Sequence, residues 1–566
     1  MKKILAVFVT LLILPITIPT QAAVADNLLE ITSVNPTAIK ANGPLRVSAL
    51  VKSRQVQSVE LWVSRNPVTD LTRIEQNVIP LAQAVVQNSQ VTISRSSMPN
   101  LSAGVYQLVL RSISNSSVLG EQAVPIIAGN LPTKELAVIV PISVPPTSDG
   151  VSSQQTLLTV GAAENVDWFI DGNTFNKLQL TELALAGRIN GIAAANPDLN
   201  AVSKYRLRNL LDVSIAETKT ALNQPVLDVG VWQLRHQVDG NGMRNAISAN
   251  LDFVISELNE APTKYRYNDN ELTELTVDPT LTKLLATATT PAMVRQYVIA
   301  TAALTDAAAI APPLGWAPGF PAATAFFEAV NQTNWLKPIS VRQVANSLES
   351  KATSNISGTA PVFSVKHLRN LDQINRYWLT LNNTSAVNPD STLTNAAISA
   401  ASNWWWLARP SGNEYAKQVK QDLITEVNSL RISSRNKVVL PDAVGVIPVT
   451  LTNNRTTPVE FYLAGQGLGT AVVRIDAVKV EIPAESKQVV ELPIEVVTPG
   501  SIYAQLVIQG KLGEETTITP TPLQIEVSQY RAVAQVIIYG AFGVLLLLSA
   551  ISIRGRLRKK REIQHN

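Results

Sequence analysis

The 566-residue chain has no cysteine and only three histidines. Without thiols there is no disulfide, no thiolate metal site, no cysteine nucleophile and no lipidated N-terminal cysteine. His236 and His367, the imidazoles ahead of the C-terminal tail, stand far apart in sequence and belong to no His-x-x-x-His or His-x-x-Glu-His pair. The sequence therefore predicts no metal site and no cofactor. No Gly-x-Ser-x-Gly occurs, so the nucleophile elbow of serine hydrolases is missing too. Charge is scarce, at 16% of residues, and Lys plus Arg exceed Asp plus Glu only by 47 to 43. The excess sits at the two ends, in Lys2, Lys3 and the six bases Arg554, Arg556, Arg558, Lys559, Lys560 and Arg561. Everything between is mildly acidic, so a pI near 9.0 does not point to nucleic acid.

Apolar residues, by contrast, make up 46% of the chain, and two runs are long. Lys2-Lys3, the apolar stretch Ile4 to Leu14, Pro15 and Pro19, and Ala23-Val24-Ala25 together read as a secretory signal over residues 1–25. The second run, Ala532 to Ile553, carries no charge. At 1.5 Å per residue it spans about 33 Å, enough for a hydrocarbon core of about 30 Å. A transmembrane helix over 531–553 is expected. The basic tail 554–566 then lies in the cytoplasm by the positive-inside rule. A cell-wall sorting tail would need Leu-Pro-x-Thr-Gly upstream, and Leu131-Pro132-Thr133-Lys134-Glu135 is mid-chain and lacks the glycine.

Between these ends the chain reads as a multidomain α+β ectodomain. Residues 26–130 carry short apolar segments at Leu45 to Val51, Val59 to Val63, Val91 to Ser94, Val105 to Ile113 and Glu121 to Ile127, broken by turn residues. That spacing predicts an N-terminal immunoglobulin-like β-sandwich. Residues 433–530 repeat the theme as a membrane-proximal immunoglobulin-like sandwich. There, Ile447 to Asn454 runs as a strand into a turn, and Gly465, Gly467 and Gly469 are read as hairpin glycines. The central stretch 131–432 is α/β. Leu136 to Ile142, Val166 to Ile170 and Val226 to Trp232 read as buried parallel strands. Helical stripes are read at Leu178, Leu185, Ile189, Ile192; at Ile247, Leu251, Val254, Ile255, Leu258; at Val341, Val344, Ala345, Leu348; and at Val419, Leu423, Val427, Leu430. Asn196-Pro197 and Ala261-Pro262 are expected to end helices. An open sheet and an imperfect barrel both fit this pattern.

Chemistry has few carriers. Asp167 and Asp171 are spaced to face one side at the end of a strand, where sites form in α/β sheets and barrels. Paired carboxylates there would supply the acid and base of glycoside hydrolysis; the plainer reading is a turn at Asp171-Gly172-Asn173 capping a helix. Asp228 in Leu227-Asp228-Val229-Gly230-Val231 is a carboxylate inside an expected strand, where an unpaired charge is rare, and is to be explained by a buried ion pair, a strand-end position or catalysis. Trp404-Trp405-Trp406 and the loop Gly315-Trp316-Ala317-Pro318 are aromatic surfaces of the kind that stack on sugars or simply pack. Trp316, Trp335, Trp404 and Trp405 are the ligand-binding candidates.

Ala311-Pro312-Pro313-Leu314-Gly315-Trp316-Ala317-Pro318 is followed by Phe326-Phe327-Glu328-Ala329-Val330 and Asn334-Trp335-Leu336-Lys337-Pro338-Ile339-Ser340-Val341. This succession resembles an uncharacterised family of actinobacterial secreted, single-pass membrane-anchored cell-envelope proteins, often encoded near the lipid II flippase. The layout is similar from about Thr290 onward, including a strand that ends in a Leu-x-Asn turn, Leu451-Thr452-Asn453. The family's Trp-Pro-Leu after the first central strand is here Val140-Pro141-Ile142, and its later Asp-Pro is Asp171-Gly172. The resemblance implies a setting, peptidoglycan-building membranes, and no reaction. The expected function is a non-enzymatic binding or scaffolding protein, with envelope-synthesis membrane proteins or cell-wall glycan as partners. The alternative is a carbohydrate-active hydrolase using Asp167, Asp171 or Asp228.

Overall fold

The computed structural model describes residues 28–562 apart from 41, 149–150, 179–184, 186, 205–206, 225–226, 235, 357–361, 388–390, 469–472, 498–500 and 528–529. The expected signal segment 1–25 lies outside them. The chain is mixed α+β and forms two compact units, Met1–Asp372 with Asn395–Lys417, and Gln373–Thr394 with Gln418–Asn566.

The first unit opens with two β-sheets. Leu29–Asn35, Leu45–Val51 and Gln90–Arg95 form one; Ala38–Ile39, Ser117–Ala128, Gly104–Ser114, Ser58–Ser64 and Val78–Val85 form the other. Leu45, Val47, Ala49 and Val51 alternate with more exposed neighbours, as a strand with one core face requires. Val78–Val85 escapes pattern reading because it is an edge strand with Pro80 and one buried residue, Leu81.

Seven parallel strands follow: β1 Lys134–Ile142, β2 Asp167–Asp171, β3 Arg188–Ile192, β4 Val229–Gln233, β5 Phe253–Ser256, β6 Asn270–Thr276 and β7 Ala309–Ile310. They pair in that order, and β7 returns to pair with β1. A bridge from Val277, just past β6, to Ala309 closes the ring. The sheet is thus a closed barrel. Its interior is filled by Ile139, Phe169, Ile192, Trp232, Phe253, Ile255 and Leu275, among others. Val341, Val344 and Ala345 join the same core from the helix Val341–Asn346, whose start is fixed by a capping box between Ser340 and Gln343.

Two expected helices give way to strands. The stripe from Leu178 to Ile192 ends in β3, and the stripe from Ile247 to Leu258 divides into the helix Gly240–Ser248 and strand β5. A barrel strand is buried on both faces, so its apolar residues need not alternate and also match an i, i+3, i+4 template. Accordingly, Asn196-Pro197 and Ala261-Pro262 follow strands β3 and β5 instead of ending helices.

The second unit holds a four-stranded antiparallel sheet of Leu430–Ser433, Val444–Asn453, Ser486–Val496 and Val473–Ile475. A five-stranded sheet adds Lys437–Leu440, Thr521–Val527, Ser501–Gln509, Val459–Leu468 and Val478–Ile482. Gly465 and Gly467 lie inside the strand Val459–Leu468 and not in a hairpin; a Cβ on Gly465 would stand 2.4 Å from the Ile475 side chain. Gly469 lies outside the described residues. Asn453 ends its strand with the side-chain amide donating to Thr457 O at 3.0 Å and Pro483 O at 2.9 Å. The chain ends in the helix Tyr530–Glu562, of which Gln535–Arg556 has the length and apolarity of a membrane span, with a mean hydropathy of 2.5.

Candidate functional site: the C-terminal mouth of the barrel

On parallel barrels, chemistry sits at the C-terminal ends of the strands and the opposite end serves stability. Asp167 and Asp171 project from the same side of β2, but from its two ends, about 13 Å apart at a 3.3 Å rise per residue. They do not converge. Asp167 sits at the N-terminal end, gripped by Arg188 through Nε at 2.9 Å and a second guanidinium nitrogen at 3.0 Å, and accepting the Val341 N–H at 3.2 Å. Asp228 immediately precedes β4 at that same end and is ion-paired with Arg342. Both carboxylates tie the start of a strand to its surroundings, remote from the mouth.

Asp171 alone reaches the C-terminal end. Its Oδ1 accepts N–H groups of Asn173 at 2.9 Å, Ala195 at 3.1 Å and Thr174 at 3.5 Å, and its Oδ2 accepts the Ser143 hydroxyl at 2.9 Å. Instead of a separate turn, Gly172 opens the helix Gly172–Leu178 directly after β2, and it packs so closely that a Cβ there would meet Thr218 Cα at 2.7 Å. The carboxyl is fully buried, and burial lifts it from 3.8 to about 6 against the opposing pull of its hydrogen bonds.

The mouth above it is filled by the chain itself. Trp404 belongs to the barrel core, and its Nε1 donates to Ser143 Oγ at 3.3 Å. The loop after β7 closes from the other side, where Gly315 at φ +75° lies so near that a Cβ would stand 2.6 Å from the Trp404 ring. Asn403 donates its backbone N–H to Asn196 O at 2.7 Å and its side-chain amide to Trp232 O at 3.1 Å and Pro197 O at 3.2 Å. Asn196 in turn exchanges two 2.8 Å hydrogen bonds with the Trp232 backbone. Ser402 Oγ donates to Ala195 O, and the Asp198 N–H donates to Ala401 O at 2.8 Å. Segment 402–406 is thus stitched to the loops after β1 and β3 and to the end of β4.

Trp405 and Trp406 complete the seal. Trp405 Nε1 donates to Ser399 O at 2.8 Å and Trp406 Nε1 to Asp198. His236 lies 3.3 Å from the same Asp198 carboxylate and against the Trp406 ring, which stacks on Phe363, itself against His367. The two distant histidines meet in one aromatic column. Trp404 and Trp405 offer no free ring face to a ligand, since both are buried. Trp316 is half-buried against Phe326, its carbonyl accepting from Gln154 at 2.6 Å. Trp335 is half-buried beside β1, where its carbonyl accepts the Lys134 N–H at 2.8 Å. Neither touches Asp171. Asn196, Asp198, Ser402 and Asn403 escaped pattern reading because small polar residues in loops carry no periodicity.

Among the described residues no group of three or more His, Asp or Glu is placed to hold a metal ion. Among the described residues, the hydrogen-bond partners of the buried Asp171 carboxyl are the Ser143 hydroxyl and the Asn173, Thr174 and Ala195 amides, while the buried Asp198 carboxylate faces Trp406 and His236. What the geometry does is lock: two buried acids, Asp171 under the mouth and Asp198 on Trp406, and a set of amides hold the plug and its surrounding loops in place.

No curated protein matches the sequence. Among solved structures, similarity is found to the α-amylase AmyC from Thermotoga maritima, at 9% identity over 52% of this chain and 93% of that one, with a TM-score of 0.35. The putative β-galactosidase from Bacteroides fragilis is 10% identical over 88% of this chain and 73% of its own, with a TM-score of 0.15. The C. elegans MSP family member WR4 is 10% identical over 18% of this chain and 99% of its own, with a TM-score of 0.14. Likenesses at these scores carry no argument about activity. The sequence match that does hold runs over residues 233–550, more than half of the chain, and by it the chain belongs to the family of unknown function DUF6049.

Proposed function

We propose that this protein is a membrane-anchored, extracytoplasmic binding or scaffolding component of cell-envelope (peptidoglycan) biogenesis, and that its barrel is a support instead of a catalyst. The observation that carries the proposal is the occupied mouth: the place where a barrel enzyme holds substrate is filled by Trp404 and its neighbours. The envelope setting is supported by the resemblance of the Gly315-Trp316 and Trp335 segments to actinobacterial proteins encoded near the lipid II flippase. In this reading residues 1–25 are a signal peptide, and 26–130 and 433–530 are immunoglobulin-like domains flanking a central domain over 131–432. Residues 531–553 cross the membrane, and the tail from 554 is cytoplasmic, its six bases supporting that orientation. Partners are then other membrane proteins of envelope synthesis or cell-wall glycan.

The test is complementation of a depletion strain by Asp171→Asn. The amide keeps the Oδ1 acceptor for three N–H groups, and Ser143 Oγ can accept from the new NH₂ while still accepting from Trp404. Shape and packing survive while acid–base capacity, typically about 10²–10⁴-fold in rate, is gone. Full complementation is expected. A folded variant that fails to complement would replace this reading with the hydrolase.

A further inference from the structure

The second unit leaves an apolar rim at one end of its paired sheets. Val439, Val444, Val446, Leu468, Val497 and Tyr503 are all between 45% and 67% exposed. Strand pairing puts them together. Val439 neighbours Glu526 in the register with Thr521–Val527, Leu468 pairs with Tyr503, and Tyr503 pairs with Gln524. Val444 opens its strand opposite Glu495, and Val497 follows the end of that partner strand. Each lies at or within a few residues of the end marked by Val527. Away from that end, among the described residues, Leu512 beyond Gln509 is 89% exposed, with Val387 at 49% and Val489 at 61% as further exposed apolar side chains of the unit.

Val527 is also where the chain leaves for the apolar helix. Tyr530 begins that helix, three residues on, and the span starts at Gln535. Three extended steps add at most about 10 Å, and five helical residues add about 8 Å. The rim is therefore tethered within about 18 Å of the hydrocarbon edge, beside a headgroup layer of about 5–7 Å. Exposed Val, Leu and Tyr at that distance fit a headgroup–acyl boundary: the apolar side chains leave water, and the tyrosine keeps its hydroxyl among polar headgroups.

We propose that this rim is a lipid-contacting surface, seating the membrane-proximal sheets directly on the outer face of the bilayer; the proposal rests on the reading of Tyr530–Glu562 as membrane-spanning. Its occupant is the lipid surface itself. The rim also bears Asp442, Glu495 and the Lys437–Glu526 ion pair, so attraction to anionic lipid is not the driving interaction.

The absence of native cysteine makes the test direct. Single nitroxide labels are placed by Val444→Cys, Leu468→Cys, Tyr503→Cys, Leu512→Cys and Leu546→Cys in the full chain, in phosphatidylcholine vesicles with and without phosphatidylglycerol. Relaxation by dissolved oxygen reports lipid contact, and relaxation by an aqueous nickel chelate reports water. Labels at 444, 468 and 503 should lose nickel accessibility and gain oxygen accessibility relative to 512, equally in both lipid mixtures. Labels at these three positions as accessible to nickel as 512, with 546 in lipid, would overturn the rim alone. A label at 546 exposed to nickel would overturn the anchor and the rim with it. Protection only with phosphatidylglycerol would also overturn the proposal, since it would make the contact electrostatic.

Discussion

Four donors converge on the Asp171 carboxyl, yet burial still raises it to about 6 from 3.8. A carboxyl whose folded value lies above its unfolded value binds its proton more tightly in the folded state. Stability is therefore greatest below about pH 4, falls as pH rises toward 6, and levels off above it. The shift corresponds to about 3 kcal/mol. Asp171→Asn has no such proton to lose. Measured by denaturant unfolding at pH 4, 5, 6 and 7, its stability relative to the parent should rise by up to about 3 kcal/mol across the series. A constant difference would mean that the carboxyl is not held as buried as its surroundings imply. The two other candidate carboxylates are ion-paired, Asp167 with Arg188 and Asp228 with Arg342.

Elements show where sequence reasoning succeeds and where it stops. The apolar run Leu136 to Ile142 and the stripe through Val341 were legible, since burial on two faces or one leaves a clear pattern. Strands β3 and β5 were not, because short buried runs match both templates. The turn at Leu451-Thr452-Asn453 could be quoted from sequence, but its neighbour Arg455 could not. That side chain is buried, with Nε donating to Glu426 O at 3.1 Å and guanidinium nitrogens donating to Thr384 Oγ1 at 2.9 Å and Val427 O at 3.4 Å. It meets carbonyls at the C-terminus of the helix Arg409–Val427, where a cation complements the helix dipole. Burial pushes it down to about 10, which leaves it charged at neutral pH. Arg455→Met should cost about 3 kcal/mol by leaving those acceptors unpaired, read by calorimetry as an earlier transition. Arg455→Lys should not restore it, since an ammonium lacks the planar fork. A melting curve unchanged in Arg455→Met would show the contacts to be dispensable.

At the scale of the whole molecule, the chain combines a closed barrel, β-sheets before and after it, and one apolar C-terminal helix. Aspartates at two ends of one strand look like a catalytic pair in sequence and are separated by the strand they share; only tertiary structure assigns one end to the mouth. The same holds for the plug, because segment 402–406 reaches the loops after β1 and β3 and the end of β4 from more than 160 residues downstream of all three. Held by these hydrogen bonds, the segment is a permanent part of the barrel and not a lid over a working site. Hydrogen exchange of the Asn403 and Trp232 amides tests it most directly, since they donate to Asn196 O and Asn196 Oδ1 within the seal. Exchange as slow as that of the buried strands β2 and β4 is the predicted result, with opening only on global unfolding. Exchange of Asn403 at the rate of exposed loops, while β2 and β4 stay protected, would contradict it and reveal a mouth that opens.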